Sequence, residues 1–112
     1  MYLVRSHTQE TVLAEINPIT PEELKPVQNR FIFKWREVGD TELYALWLVE
    51  EKEVVGLMAL KDIPDELRIE IVLLESSREN VGKKKLYERI AGCLIAFACR
   101  LAFLRGYFGF IS

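Results

Sequence analysis

The side chains that could carry covalent or metal chemistry are few in this chain of 112 residues. Cys93 and Cys99 stand six positions apart in a stretch with helical periodicity, which separates them by about 9 Å along a helix axis. This distance is too long for a disulfide, so we expect two reduced thiols in the core. His7 is the only histidine. A nucleophilic cysteine would therefore lack a base, and a metal ion would lack ligands.

Three consecutive lysines, Lys83, Lys84 and Lys85, form the densest basic run. They could attract an anion, although such a run is more often a solvated loop or the start of a helix. The formal net charge of the chain is −2, so there is no basic excess that would indicate nucleic-acid binding. With 50% hydrophobic and 29% charged residues, the composition indicates a single globular domain over residues 1–112.

The first part of the chain contains a strand followed by a capped turn of helix. Residues 11–16 are predicted to form a strand, and residues 1–5 either a strand or a frayed arm. Thr20 is a good N-cap residue, Pro21 fits the first helical position, and Glu23 completes a capping box.

Three apolar runs joined by short turns predict an antiparallel meander at residues 43–49, 54–60 and 67–75. We expect Trp35 and Trp47 to be core aromatic residues on strands. In the last run, alternation predicts two faces. One face carries Leu67, Ile69, Ile71 and Leu73, and the other carries Arg68, Glu70, Val72 and Leu74.

The pattern changes after residue 75. Residues 76–88 form a long polar connection, which is uncommon in a small domain unless it binds something or moves. The period then becomes helical, with Gly106 as the C-cap and residues 107–111 as a last strand. Strand, loop, helix and strand make a βαβ unit, so residues 67–75 and 107–111 are predicted to be parallel neighbours. The expected fold class is α/β, or α+β with a mixed sheet, and one long buried helix.

The helix itself is expected to be buried in protein and not in a membrane. Residues 90–104 are apolar, but Arg100 interrupts them, and a membrane span needs roughly 20 apolar residues. The N-terminal MYLVRSHTQE has neither the basic leader nor the apolar run of a signal peptide. We therefore expect a cytoplasmic protein.

This order of elements resembles the GNAT superfamily of N-acetyltransferases over roughly residues 30–111, and the helix reading AGCLIAFAC resembles a short bacterial subgroup of it. The family has a turn motif, Q/R-x-x-G-x-G/A, that opens the helix. One register places Gly82 at the first glycine of the motif. The other places Arg89 there and Ala91 at its end. We favour the second, because a helix from Ala91 to Gly106 has the length that the family helix usually has.

The resemblance implies acetyl-CoA as the cofactor, with its pyrophosphate held at the head of this helix. The backbone amides of Arg89, Ile90, Ala91 and Gly92, or of the turn at Gly82 in the first register, would cradle the phosphates. Lys83, Lys84, Lys85 and Arg89 would add positive charge. The backbone amides near Leu73 and Leu74 would polarise the thioester carbonyl. Arg89 has two open alternatives: it binds phosphate, or its side chain fills the cofactor slot.

The resemblance also implies a general base, first Glu70 and second Glu75, which would remove a proton from the acceptor amine. The alternative for Glu70 is a solvent-facing carboxylate paired with a basic neighbour. The implied activity is acetyl transfer from acetyl-CoA to an amine of unknown identity, and a weak form of this activity is one alternative.

Full-length members of the family continue beyond this last strand with another helix and two strands. The chain is therefore expected to be a truncated version of the domain, and its apolar last strand would have an open edge. Because open edges are aggregation hazards, we expect a second copy to cover it, giving a homodimer. Two alternatives remain open: a catalytically inactive remnant of the fold that serves as a dimeric binding or structural module, and an unrelated small α+β domain.

Overall fold

A computed structural model describes residues 1–108 and 110–112. Its strands are β1 (Tyr2–Arg5), β2 (Thr11–Pro18), β3 (Glu42–Leu48), β4 (Glu53–Ile63), β5 (Arg68–Ser76) and β6 (Tyr87–Glu88). Its helices are α1 (Pro21–Leu24) and α2 (Ile90–Leu104), with short 3-10 turns at Lys25–Arg30, Trp35–Glu37, Pro64–Glu66 and Arg78–Asn80. The six strands form one sheet in the order β5-β4-β3-β2-β1-β6, and each neighbouring pair is antiparallel. The predicted combination of helix and sheet is confirmed.

Both faces of the sheet are covered at β4, and this explains the apolar run in that strand. Residues 54–60 of β4 are buried without interruption, as expected for a central strand with packing on both sides. One face packs against α2 through Leu94, Ala98 and Ala102. The other face packs against residues 19–38, with Trp35 fully buried. Trp35 is a core aromatic residue as predicted, but it lies in a 3-10 turn and not on a strand.

Both ends of α2 are fixed on the sheet. At its start, Ile90 and Leu94 pack on Gly56 of β4, which is paired with Ser76 at the end of β5. At its end, Gly106 has a positive φ of 83°, and Tyr107 N–H donates to the Ala102 carbonyl at 2.9 Å. This is the closing bond of a Schellman motif, so the predicted glycine C-cap is confirmed.

A β-bulge in β5 overturns one predicted face of this strand. Leu60 pairs with Ile71 and Ala59 pairs with Leu73, so Val72 is an extra residue without a partner in β4. Beyond the bulge the alternation is inverted. Leu74 therefore joins Ile71 on the α2 face, while Leu73 packs into the opposite core. The predictions that Leu73 shares a face with Ile71, and that Leu74 shares a face with Glu70, are both wrong, because simple alternation does not allow for an inserted residue.

The ends of the chain add to the sheet in different ways. The strand predicted at residues 11–16 is confirmed, and residues 2–5 form a strand rather than a frayed arm. At the other end, Ile111 makes a parallel bridge with Ile69. The strand predicted at 107–111 is otherwise not formed, because Tyr107 and Phe108 lie in the turn that follows α2. Gly109 lies outside the described residues. No helix in the described ranges is long and apolar enough to span a bilayer.

The contact between α2 and Gly56 generates a stability prediction. A Cβ at position 56 would lie 2.9 Å from Ile90 Cγ2 and 3.1 Å from Leu94 Cδ1, and both side chains are buried. We expect Gly56→Ala to lower the free energy of unfolding by about 1–3 kcal/mol. Gly39→Ala is the matched control, since a Cβ there has nothing within 4 Å. Urea unfolding measures both changes, and an equal effect at the two glycines would contradict the packing.

Candidate functional site

The C-terminal segment covers only the first half of the outer edge of β5. Ile69 N–H donates to the Phe110 carbonyl at 3.2 Å, and Ile71 N–H donates to the Ser112 carbonyl at 2.8 Å. From Val72 to Ser76, no strand in the described part of the chain pairs with this edge. The C-terminal segment and β5 are therefore paired near Ile69, and the outer edge of β5 is open from Val72 to Ser76. The predicted parallel neighbours do meet, but only over this short stretch.

The start of α2 packs on Gly56 of β4, one strand in from this open edge, and Gly56 is paired with Ser76 at the end of β5. The first backbone hydrogen bond of the helix runs from Cys93 N–H to the Arg89 carbonyl at 2.9 Å. The N–H groups of residues 90–92 therefore have no acceptor within the helix. Ala91 and Gly92 are exposed. Four of the predicted cofactor-binding residues thus occur together at one accessible helix end.

Arg89 is the N-cap residue and has a left-handed backbone, with φ at 75°. Glycine adopts this conformation most readily, which agrees with the register that places Arg89 at a glycine position. Its side chain is exposed, so it does not fill the interior. It forms no hydrogen bond or ion pair with the residues that the structure describes. Gly82, used by the other register, lies in the loop before β6, well ahead of the helix.

Lys83, Lys84 and Lys85 are all exposed in this same loop. The loop is closed at its base by Leu86 N–H, which donates to the Glu79 carbonyl at 3.3 Å. The arrangement agrees with a solvated basic loop, and it keeps the three ammonium groups available to an anion.

Asn80 holds this loop and was missed in the sequence. Its side-chain oxygen accepts from Tyr87 N–H at 2.9 Å, and its amide nitrogen donates to Ser77 Oγ at 2.8 Å. Asn80 and Ser77 are the buried polar residues of the described chain. Within a long polar stretch, nothing in the sequence distinguishes them from their solvated neighbours.

Glu75 binds the loop that covers the far face of the sheet. Its two carboxylate oxygens accept from Ile32 N–H at 2.7 Å, Phe33 N–H at 3.3 Å and Trp35 Nε1–H at 2.8 Å. Gln28 completes the cluster, because its side chain accepts from Trp35 N–H and donates to the Phe33 carbonyl. The three donors use most of the acceptor sites of the Glu75 carboxylate, which favours an anchoring role for it.

Glu70 lies on the same face of the sheet as Glu75, because the bulge inverts the alternation between them. Its side chain is 41% exposed and stands 3.8 Å from Arg68 Nη1. Its partner across the strands is Lys61. This is the solvent-facing carboxylate with basic neighbours that the sequence analysis gave as the alternative. It accepts no hydrogen bond from a described residue, so its oxygens are accessible to a ligand.

A cleft of about 570 Å³ adjoins the bulge on this face. Its walls include Val72 and Leu73 from β5 and Ile32, Phe33 and Glu37 from the covering loop. Ile32 and Phe33 are 68% and 56% exposed, which is unusual for large apolar side chains. This cleft was not predicted from the sequence, since its walls come from segments that are distant along the chain.

A second polar cluster fixes the end of α2 to the sheet. Arg105 donates to both oxygens of Glu42, at 2.8 and 2.7 Å, and to Asp62 Oδ2 at 3.1 Å. Tyr107 OH donates to Asp62 Oδ1 at 2.8 Å, and Tyr44 OH donates to Glu42 Oε1 at 2.9 Å. Burial and this carboxylate raise the pKa of Tyr44 to about 12. The Arg105 hydrogen bonds lower the pKa of Glu42.

The two cysteines of α2 have no catalytic partner among the described residues. Burial raises the pKa of the Cys93 thiol, which disfavours the reactive thiolate. Residues 1–108 and 110–112 contain no group of three His, Cys, Asp or Glu side chains placed to hold a metal ion.

The different surroundings of the two β5 carboxylates lead to a paired prediction. We expect Glu75→Gln to lower the free energy of unfolding by about 1–3 kcal/mol, because the amide cannot accept all three N–H groups. Hydrogen exchange at the Ile32 and Phe33 amides should become faster. Glu70→Gln is the matched control on the same strand and should change stability by less than about 0.5 kcal/mol. A similar loss in both variants would contradict the anchoring role.

Comparisons with known proteins add no family to this geometry. No protein-family model matches the chain, no curated protein matches it, and no solved structure matches it. The arguments about function therefore rest on the residues and contacts described above.

Proposed function

We propose that this protein binds acetyl-CoA and transfers its acetyl group to an amine, in the manner of a short GNAT-like N-acetyltransferase. The observation that supports the proposal best is that the first turn of α2 packs on Gly56 of β4, which is paired with Ser76 at the end of β5, where the outer edge of β5 is uncovered. This packing brings two kinds of backbone donor together: the free amides of a helix end and those of an open strand edge.

The helix end would bind the pyrophosphate. The backbone amides of Ile90, Ala91 and Gly92 are not used by the helical ladder, and a helix N-terminus favours anions. The exposed side chain of Arg89 stands at the same end. Lys83, Lys84 and Lys85 would reach the cofactor from the neighbouring loop as point charges.

The open edge would receive the thioester arm. Side-chain direction and N–H direction alternate together along a strand. Ile71 points its N–H to the outer edge, where Ser112 accepts it. Leu74 shares the α2 face with Ile71 after the bulge, so its N–H points to the same edge. In the proposal this amide polarises the acetyl carbonyl as negative charge develops on its oxygen.

The acceptor amine would occupy the cleft beside Val72 and Leu73, on the other face of the sheet. Apolar walls from Ile32 and Phe33 would exclude water from the attacking nitrogen. Glu70 lies on this face of β5 but outside the lining of the cleft. Of the two predicted bases it is the better candidate, because the oxygens of Glu75 already accept three N–H groups. In the transfer, the amine nitrogen bonds to the acetyl carbon and the carbon–sulfur bond breaks. The base takes one proton from the amine and returns it to the departing sulfur, which leaves as the CoA thiol.

Titration with CoA and acetyl-CoA tests the proposal. Calorimetry and amide chemical shifts detect the binding. We expect saturable binding, with shifts at residues 89–92 and 73–76. Ala91→Glu should weaken CoA binding by about tenfold or more, because its carboxylate repels the phosphates. The same change stabilises the helix start, so unfolding does not explain the loss.

Ala96→Glu is the matched control, since residue 96 is exposed in the middle of α2 and should leave CoA binding unchanged. No heat and no shifts at millimolar CoA would overturn the proposal. Glu70→Gln should lower the rate of acetyl transfer to any accepted amine without weakening CoA binding.

A second candidate function is that of a dimeric binding or structural module without catalysis. The observation that favours it is the apolar surface at the end of α2, where four large side chains are 63–75% exposed. They are Phe103, Leu104, Phe108 and Phe110. A surface of this kind often marks an interface between proteins.

Light scattering during size exclusion distinguishes this second candidate. A homodimer through this surface should dissociate in Phe103→Glu, while CoA binding at the far end of α2 persists. Ile95→Glu, at another exposed apolar residue of α2, is the matched control and should leave the dimer intact. A wild-type chain that remains a monomer at every concentration would contradict the module.

A further inference from the structure

A second cleft lies between α1 and the turn at residues 34–36, away from the proposed acetyl-transfer site. Its volume is about 540 Å³, which is in the range of pockets for small organic ligands. Pro21 and Leu24 give it an apolar wall. It shares only Lys34 with the cleft beside Val72.

The charged residues around this second cleft are mostly cationic. Lys25, Lys34 and Arg36 line it, with Glu22 as the one acidic residue. None of the three cations forms an ion pair or side-chain hydrogen bond with a residue that the structure describes. The chain as a whole has more acidic than basic residues, 17 against 15. The positive lining is thus a local feature and does not follow from the composition.

The walls of this cleft are held in place by hydrogen bonds at the start of α1 and on either side of Lys34. The capping box of α1 links Thr20 and Glu23 in both directions. Gln28 ties the chain on either side of Lys34, through the Phe33 carbonyl and Trp35 N–H. The adjacent Trp35 side chain is fully buried. A cleft built in this way exists before a ligand arrives, and this reduces the ordering cost of binding.

We propose that this cleft binds a small organic anion, in which a carboxylate or phosphate group is attached to an apolar body. The apolar body lies against Pro21 and Leu24, and the anionic group lies between Lys25 and Arg36. Arg36 can bind either group through two parallel N–H bonds. The site does not depend on acetyl-CoA, so the proposed function can fail while this inference stands.

The test titrates the full chain, in the absence of CoA, with two anionic probes, octanoate and phenyl phosphate. Amide chemical shifts detect the binding. We expect saturable shifts at residues 21–25 and 34–36. Octanamide, the neutral counterpart of octanoate, should bind at least about tenfold more weakly, since it lacks the charge. The tighter of the two anionic probes identifies the ligand class as carboxylate or phosphate ester.

The double variant Lys25→Gln with Arg36→Gln should lower the affinity for the tighter-binding probe by about tenfold. The matched control is Lys61→Gln with Arg100→Gln, which removes the same charge from exposed positions outside this cleft. Equal weakening in both double variants would mean that only net charge matters and would overturn the site. Equal affinity for octanoate and octanamide would also overturn it. Thermal melts confirm that all variants are folded.

Discussion

The extra residue at Val72 in β5 is the constraint on which the candidate site depends. Without it, Leu73 and Glu75 would point to the α2 face, and Leu74 would point its N–H into the sheet. With it, Glu75 reaches Ile32 and Trp35 on the far face, and an amide is directed to the open edge. Bulges are frequent beside active sites because they redirect a side chain while the strand continues. The same residue also forms part of the wall of the cleft.

Glu75 was predicted as a general base, but its hydrogen bonds show that it stabilises the fold. Residues 31–34 cross the far face of the sheet with little regular structure of their own. The backbone N–H groups of Ile32 and Phe33 would lack a partner within the protein if the carboxylate did not accept from them, and an unsatisfied N–H is costly where water cannot replace the acceptor. The aromatic ring of Trp35 fills the core beneath this loop, and its indole N–H donates a hydrogen bond to the same carboxylate. The exposed Ile32 and Phe33 are therefore held at the cleft by the half-buried carboxylate of Glu75.

The sequence predicts the elements that have local causes. Short-range rules predict the capping box at Thr20 and the glycine C-cap at Gly106. Hydrophobic periodicity along the chain predicts α2 and the strands of the sheet. The parts it misses depend on contacts across long separations. Arg105 pairs with Glu42 from 63 positions away, and the bulge at Val72 depends on the partner strand. Trp35 follows a partly alternating pattern, yet the chain there folds into 3-10 turns because Glu75 and Gln28 supply the backbone partners that a strand would need.

The two faces of the sheet divide the chemistry that the molecule can support. The α2 face provides a helix end with free amides and cationic side chains, which suits a phosphorylated cofactor. The opposite face provides apolar walls and carboxylates, which suits an amine. A ligand that uses both must pass the sheet where an edge is uncovered, and β5 is uncovered between Val72 and Ser76. Because the C-terminal segment covers Ile69 and Ile71 but not the residues after them, its short pairing decides where such a passage can occur.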